Sequence, residues 1–242
     1  MSDLAEADPT TATPTPATDP RPRVVGAAAI ALAASLVAQN AVVVWTGSPD
    51  YAAPLEDVLG FHAEHRTAVA VAVGLEALNL PLLLGFLAGL HGLVVRRGGA
   101  GADWSRLALA AGATLSAVLA LYAVLWTGVV LAADGAADPS PLLELTWQMH
   151  AAAFALTLPA LGTTFVAAAM AARASGLAPA WHRLLAGAAG VLLVAAGSAG
   201  LAVADGSALL FVGMPGYVAW VVWLLVIGLR LLRPRPADHR TA

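Results

Sequence analysis

The chain has 242 residues, 60% of them apolar and 11% charged, with a mean hydropathy of +0.79, a balance that excludes an ordinary water-soluble domain. Its net charge is -3 and every basic residue is Arg; no basic stripe with interleaved aromatics exists to neutralise phosphates, which excludes nucleic acid as a partner. The absence of cysteine removes disulfides, thiolate nucleophiles and Cys-ligated zinc or iron–sulfur clusters.

Residues 1–23 mix Pro, Thr, Ala and Asp with few large apolar side chains, so they cannot bury enough surface to offset chain entropy and are expected to form a disordered cytoplasmic tail. Arg21 and Arg23 then precede an apolar run of full-span length, roughly 20 residues, without a small-residue cleavage site, which predicts a retained helix and not a signal peptide. Six such runs follow one another, at 24–46, 67–95, 107–132, 147–171, 183–204 and 208–229. Backbone amides have no water partner in hydrocarbon, and runs this continuous do not alternate as barrel strands would. The predicted fold is therefore all-α, a polytopic membrane protein of six transmembrane helices in an antiparallel up-down bundle over residues 24–232, closed by a cytoplasmic tail at 233–242.

Arginine sets the expected orientation. Eleven of the twelve lie in the tails and in the second and fourth connectors, while the opposite loops hold only Arg66 beside Asp50, Glu56, Asp57, Glu64, Asp134, Asp138, Glu144 and Asp205. This positive-inside pattern places both termini in the cytoplasm, at the cell membrane. Trp45, Trp104, Trp126, Trp147 and Trp181 lie near predicted helix ends and read as an interfacial belt. The outer loops 47–66 and 134–146 are too short to fold as domains.

The first and third spans end alike, in Trp45-Thr46-Gly47 and Trp126-Thr127-Gly128. Each is followed by Leu-Glu and then a His, Leu55-Glu56 to His62 and Leu143-Glu144 to His150, an echo compatible with duplicated hairpins.

In the second span, Glu76 sits about ten residues in, with Asn79 on the same face at i+3. An ionised carboxylate at mid-membrane costs ~2.5–3.5 kcal/mol, so it is neutral, paired or beside a wet cavity. Pro81 lacks an amide hydrogen and frees the carbonyl of Ala77. Two readings stand side by side: a titrating or cation-binding site, and a protonated Glu that fixes helix packing. Gln39 and Asn40 in the first span, Tyr122 and Thr127 in the third, Gln148 and His150 in the fourth and Ser198 in the fifth fall at outer depths, whereas the inner half reads as aliphatic. Together they predict an outward polar pocket with Glu76 and Asn79 at its floor, Asn40 and Tyr122 on its wall and His150 nearer its mouth. Pro81, Pro159 and Pro215 interrupt the second, fourth and sixth spans, and Gly85-x3-Gly89 and Gly187-Ala188-Ala189-Gly190 allow close helix approach.

Other chemistries have weaker support. His62 and His65, with His150 or Glu144, are the candidate metal ligands. His91 with His182, or His62 or His65 with His150, are the only haem-type pairings, and their spacing does not suit a haem in the core; no cofactor is expected. Neither paired intramembrane Asp nor His-Glu-x-x-His occurs, and Ser198 has only His150 as a partner, which argues against an intramembrane protease.

From about residue 144 to residue 233 the chain resembles a family of uncharacterised six-helix membrane proteins common in GC-rich bacteria. The resemblance is carried by Trp147-Gln148-Met149-His150-Ala151, by Ser175-Gly176-Leu177-Ala178-Pro179-Ala180-Trp181, by Gly190-Val191-Leu192-Leu193 and by Trp220 to Leu232. It implies fold and location and no activity, cofactor or site residue. The expected function is thus that of a non-enzymatic multi-pass protein in contact with the lipid bilayer, binding or passing a small solute or proton. The alternative is a structural or regulatory subunit whose polar residues serve packing alone.

Overall fold

A computed structural model describes residues 19–134 and 139–233. The described chain is helical: α1 (Arg21–Thr46), α2 (Leu55–Glu64), α3 (Arg66–Arg96), α4 (Ala102–Asp134), α5 (Pro141–Ala174), α6 (Trp181–Ser198), α7 (Gly200–Ala204) and α8 (Leu210–Leu232). Six of these, α1, α3, α4, α5, α6 and α8, are long and apolar enough to cross a membrane.

Local chemistry explains most of the boundaries. α1 starts at Arg21, inside the segment expected to be unstructured, because a Pro in its first turn has its backbone pre-set for the helix. It stops at Gly47, whose φ of 68° lets its amide cap the carbonyls of Val43 and Val44. α5 starts with Pro141 at its head and the Ser140 hydroxyl accepting from the amide of Leu143 at 3.3 Å. The fifth predicted span is not continuous. It breaks at Ala199 (φ -90°, ψ 29°) into α6 and α7, within a Gly197-Ser198-Ala199-Gly200 stretch whose two glycines and serine are weak helix formers. The loop expected over 47–66 contains α2, which rests Val58 and Leu59 on Val129 and Ala133 of α4 and on Trp147 of α5.

Packing partners define the architecture. α1 packs on α3, α3 on α4, α4 on α5, α5 on α6, α6 on α8, and α8 returns to α1. The six long helices therefore form a closed ring in chain order. Its closing seam is glycine to glycine: a Cβ on Gly26 of α1 would lie 2.7 Å from the carbonyl oxygen of Gly228 of α8, and one on Gly228 would lie 2.9 Å from the oxygen of Gly26. A second close approach joins Gly162 of α5 to Gly190 of α6. Of the small-residue pairs noted in the sequence, only one member of each is used: Gly89 faces Val25 and Gly190 faces Val166, whereas Gly85 and Gly187 face open space.

One half of the ring interior is filled by Phe86, Phe165, Trp220 and Trp223, with Trp220 and Trp223 stacked at 5.5 Å and Phe165 5.3 Å from Trp220. The expectation of a nearly all-aliphatic inner half is corrected by these four aromatic side chains. Connectors meet at each end. The guanidinium of Arg97 donates to the Ser175 carbonyl at 3.3 Å, joining the α3–α4 and α5–α6 turns. At the opposite end Gly206, before α8, lies against Ala52, before α2.

Candidate functional site

The other half of the ring interior is open. A cavity of about 620 Å³ extends from the ring centre, at Leu83 and Leu161, to the connectors at Gly47–Asp50 and Gly206–Ser207. All five residues predicted for the pocket, Asn40, Glu76, Asn79, Tyr122 and His150, line it. Three other polar residues proposed for the same depth do not. Thr127 and Ser198 are exposed and spend their hydroxyls on the carbonyls of Ala123 and Val194, and Gln148 is exposed beside Glu144.

The floor is a three-residue chain of hydrogen bonds between α1 and α3. Gln39 donates its amide to Glu76 Oε2 at 2.5 Å and accepts on its oxygen from Asn79 Nδ2 at 2.8 Å. Glu76 is 4% exposed, Asn79 2% and Gln39 7%. Helical spacing of three sets Glu76 and Asn79 on one face, and Gln39 presents a donor and an acceptor at the same time. Each of the two α3 side chains is left with one oxygen that has no donor among the described residues, Glu76 Oε1 and Asn79 Oδ1. Unsatisfied buried acceptors are costly, about 1–3 kcal/mol each, so each of these oxygens calls for a donor from water, a ligand or a carboxyl proton.

On the seam side, Asn40 donates to the Leu36 carbonyl at 2.9 Å and to the Tyr217 hydroxyl at 2.7 Å, tying α1 to α8. Tyr217 carries no signal of its own in the sequence, where it stands two residues after Pro215, the residue that interrupts the sixth span. The helix runs unbroken through Pro215, as it does through Pro81 and Pro159. Pro159 packs its ring against Gly197, where no side chain obstructs it.

Toward the connector end the wall is aromatic. His150 lies between Tyr122, stacked at 4.1 Å and 19°, and Trp147, stacked at 5.1 Å and 24°. Its Nδ1–H donates to the Tyr122 carbonyl at 3.2 Å, which makes Nε2 the acceptor nitrogen. Tyr51, from the connector before α2, places its ring 5.5 Å from Trp147 and 5.7 Å from Phe154. Burial first, and then neighbouring Tyr122, pushes the Tyr51 phenol well above its ordinary value, so it stays protonated.

Two of the five tryptophans expected at the interface are therefore misassigned. Trp126 is 4% and Trp147 6% exposed, both in the wall of this region, whereas Trp45 is 91% exposed and Trp104 and Trp181 are also outward. The echo between the first and third spans thus ends in opposite environments for its two Trp residues.

His62 and His65 are not arranged as metal ligands. Nδ1–H of His62 donates to the Val58 carbonyl at 2.7 Å, and its Nε2 accepts from the Trp126 indole at 2.9 Å, so no lone pair is left for a metal. His65 lies at the junction of α2 and α3, stacked on Phe61 at 4.7 Å. Burial lowers the His62 imidazole below its ordinary value, against a smaller opposite effect of the Val58 carbonyl. Among the described residues no three His, Asp or Glu side chains gather as a metal cage. His91 bonds Ser105 at 2.8 Å, and His182 is buried beside Trp181 at 4.1 Å.

Chemically, the cavity has at its floor two side chains, Glu76 and Asn79, that each keep one buried oxygen without a donor among the described residues, with His150 on its wall and a largely apolar, aromatic lining. The resemblance noted for residues 144–233 rests on its own residues: comparison of the chain with protein-family models, with curated proteins and with solved structures finds no match.

Proposed function

We propose that the chain is a six-pass protein of the cell membrane, arranged up and down with both termini cytoplasmic, whose outward cavity binds or passes a small solute or proton over the Glu76–Asn79 floor. The orientation is supported by the Arg-bearing turns meeting at one end, through Arg97 and Ser175, and the Arg-poor connectors at the other, through Ala52 and Gly206. The single observation that carries the functional reading is that Glu76 and Asn79, each with a buried oxygen that lacks a donor among the described residues, line a cavity large enough for a ligand. The Gln39 bridge between α1 and α3 is the observation that favours the packing role.

The chain has no cysteine, so single substitutions report without background. Leu119 lines the cavity and Leu121 is 48% exposed on the outside of the bundle. In intact cells a membrane-impermeant thiol reagent is expected to label Leu119→Cys and to spare Leu121→Cys, which faces lipid. Equal protection of both refutes an outward, water-filled cavity. In proteoliposomes holding a pH-sensitive dye, Glu76→Gln is expected to keep expression and folding but to lose any proton-linked signal. Loss of folding with Glu76→Ala alone, and an unchanged signal with Glu76→Gln, would instead support the packing role.

A further inference from the structure

We propose that the ligand of this cavity is an organic ammonium, a primary or secondary amine in its protonated form carrying an apolar body. The proposal rests on the reading of the cavity as a binding site and adds the chemistry of what enters it. Four observations converge on it.

The unsatisfied floor atoms are both acceptors. Glu76 Oε1 and Asn79 Oδ1 belong to side chains more than nine-tenths buried, and one turn of α3 presents them together. They require N–H or O–H donors, and an ammonium with two or three N–H bonds serves both at once. The remaining orphan of the lining, Trp147 Nε1, is a donor, at the far, connector end of the cavity.

Charge selects the cation. Among the described residues no Arg lines the cavity, the chain contains no Lys, and the lining carboxyls are Glu76 and Asp50. An anion would meet a carboxylate with no counter-charge, at the high cost of an unpaired buried charge.

Size and lining argue against a bare divalent cation. A hard divalent cation takes about six or more oxygen ligands, and the floor supplies two free ones. A cavity of about 620 Å³ lies in the range of drug-sized ligands, and its mostly apolar wall matches a hydrocarbon or aromatic body. The same wall holds Tyr122, Trp126, Tyr217 and Trp220, ring faces of the kind that attract an ammonium within about 6 Å.

The test uses the full chain in lipid nanodiscs, with empty nanodiscs as the correction for partitioning. Three radiolabelled probes share one skeleton: 4-phenylbutylamine, its N,N,N-trimethyl analogue and 4-phenylbutan-1-ol. At pH 7.5 the primary amine is expected to bind the wild-type protein about 10- to 100-fold more tightly than the alcohol, the scale of one charge-assisted contact. The trimethyl analogue, cationic but without N–H, is expected between them. Glu76→Gln is expected to bring amine affinity down to that of the alcohol, with folding checked by its unfolding midpoint.

The comparison of probes on the wild-type protein depends on no variant. Equal binding of amine and alcohol overturns the ammonium assignment while leaving a cavity that binds neutral solutes. A trimethyl analogue as tight as the primary amine overturns the hydrogen-bonded head. No binding of any probe, with Leu119→Cys still labelled from water, also overturns the ammonium alone; no binding with Leu119→Cys protected removes the cavity reading as well.

Discussion

Replacing Gly26 with Ala tests the ring closure on which the cavity depends. The added methyl would lie 2.7 Å from the Gly228 carbonyl oxygen, 3.0 Å from Leu231 Cβ and 3.2 Å from the Leu232 amide nitrogen. Two of the three are backbone atoms that no rotamer change can move. Restoring ordinary contact requires α8 to retreat from α1 by about 0.7 Å, an overpacking of the kind that costs roughly 1–3 kcal/mol. The folded-to-unfolded ratio then falls by about 5- to 150-fold. Gly85→Ala is the internal control: its Cβ meets nothing within 4 Å, and Ala is the better helix former by roughly 0.5–1 kcal/mol, so this variant is expected to be as stable as wild type or slightly more so. The assay is unfolding in mixed micelles with increasing SDS, followed by tryptophan fluorescence, to which Trp220 and Trp223 of α8 contribute from the core. Gly26→Ala combined with Gly228→Ala is expected to cost less than the sum of the two singles, because both press on one contact. A wild-type midpoint for Gly26→Ala, or an equal loss for Gly85→Ala, would refute a seam closed by backbone contact.

Trp126→Phe withdraws the donor to His62 Nε2 and is expected to lower stability by about 1–3 kcal/mol in the same assay; an unchanged midpoint would show that the bond contributes nothing. Burial keeps His62 below its ordinary value, so the folded chain binds this proton less readily than the unfolded chain. Its contribution is complete above about pH 6.5, the unfolded value, and is lost as pH falls through the folded one; the unfolding midpoint of the wild type minus that of His62→Gln should decline in this acid range, and a flat difference would exclude the linkage. Gln39→Leu leaves Glu76 Oε2 and the Asn79 amide without their partner and is expected to destabilise by about 2–6 kcal/mol, from two broken buried contacts of ~1–3 kcal/mol each. Glu76→Gln, which retains an oxygen to accept from Gln39, should lose much less, and a reversed order would remove Gln39 as the central residue of the floor.

Hydrocarbon-length apolar runs and the placement of Arg are properties of the chain read in one dimension, and from them the six long helices and the division of the connectors into an Arg-rich and an Arg-poor set were legible. Glu76 and Asn79 were legible as a pair for a related reason, since i and i+3 share a face in any helix. Where the local sequence was ambiguous the reading failed locally: α2 lay unnoticed in a loop with Pro, Gly and acidic residues, and the fifth span broke at Ala199.

Rotation of each helix about its axis has no one-dimensional signature in segments that are apolar on every side, and that is what the tertiary structure decided. It turned Trp45 outward and Trp126 inward although both stand before Thr-Gly, joined Gln39 to Glu76 and Asn79, set Tyr217 beside Asn40, and took the His62 lone pair for Trp126. It also determined which glycines allow contact, Gly26 and Gly228 and not Gly85 or Gly187. The physical reason is that a buried polar atom is satisfied, and a small residue matters, only with respect to the neighbour it meets, and those neighbours are set by the closure of the ring between the first helix and the last.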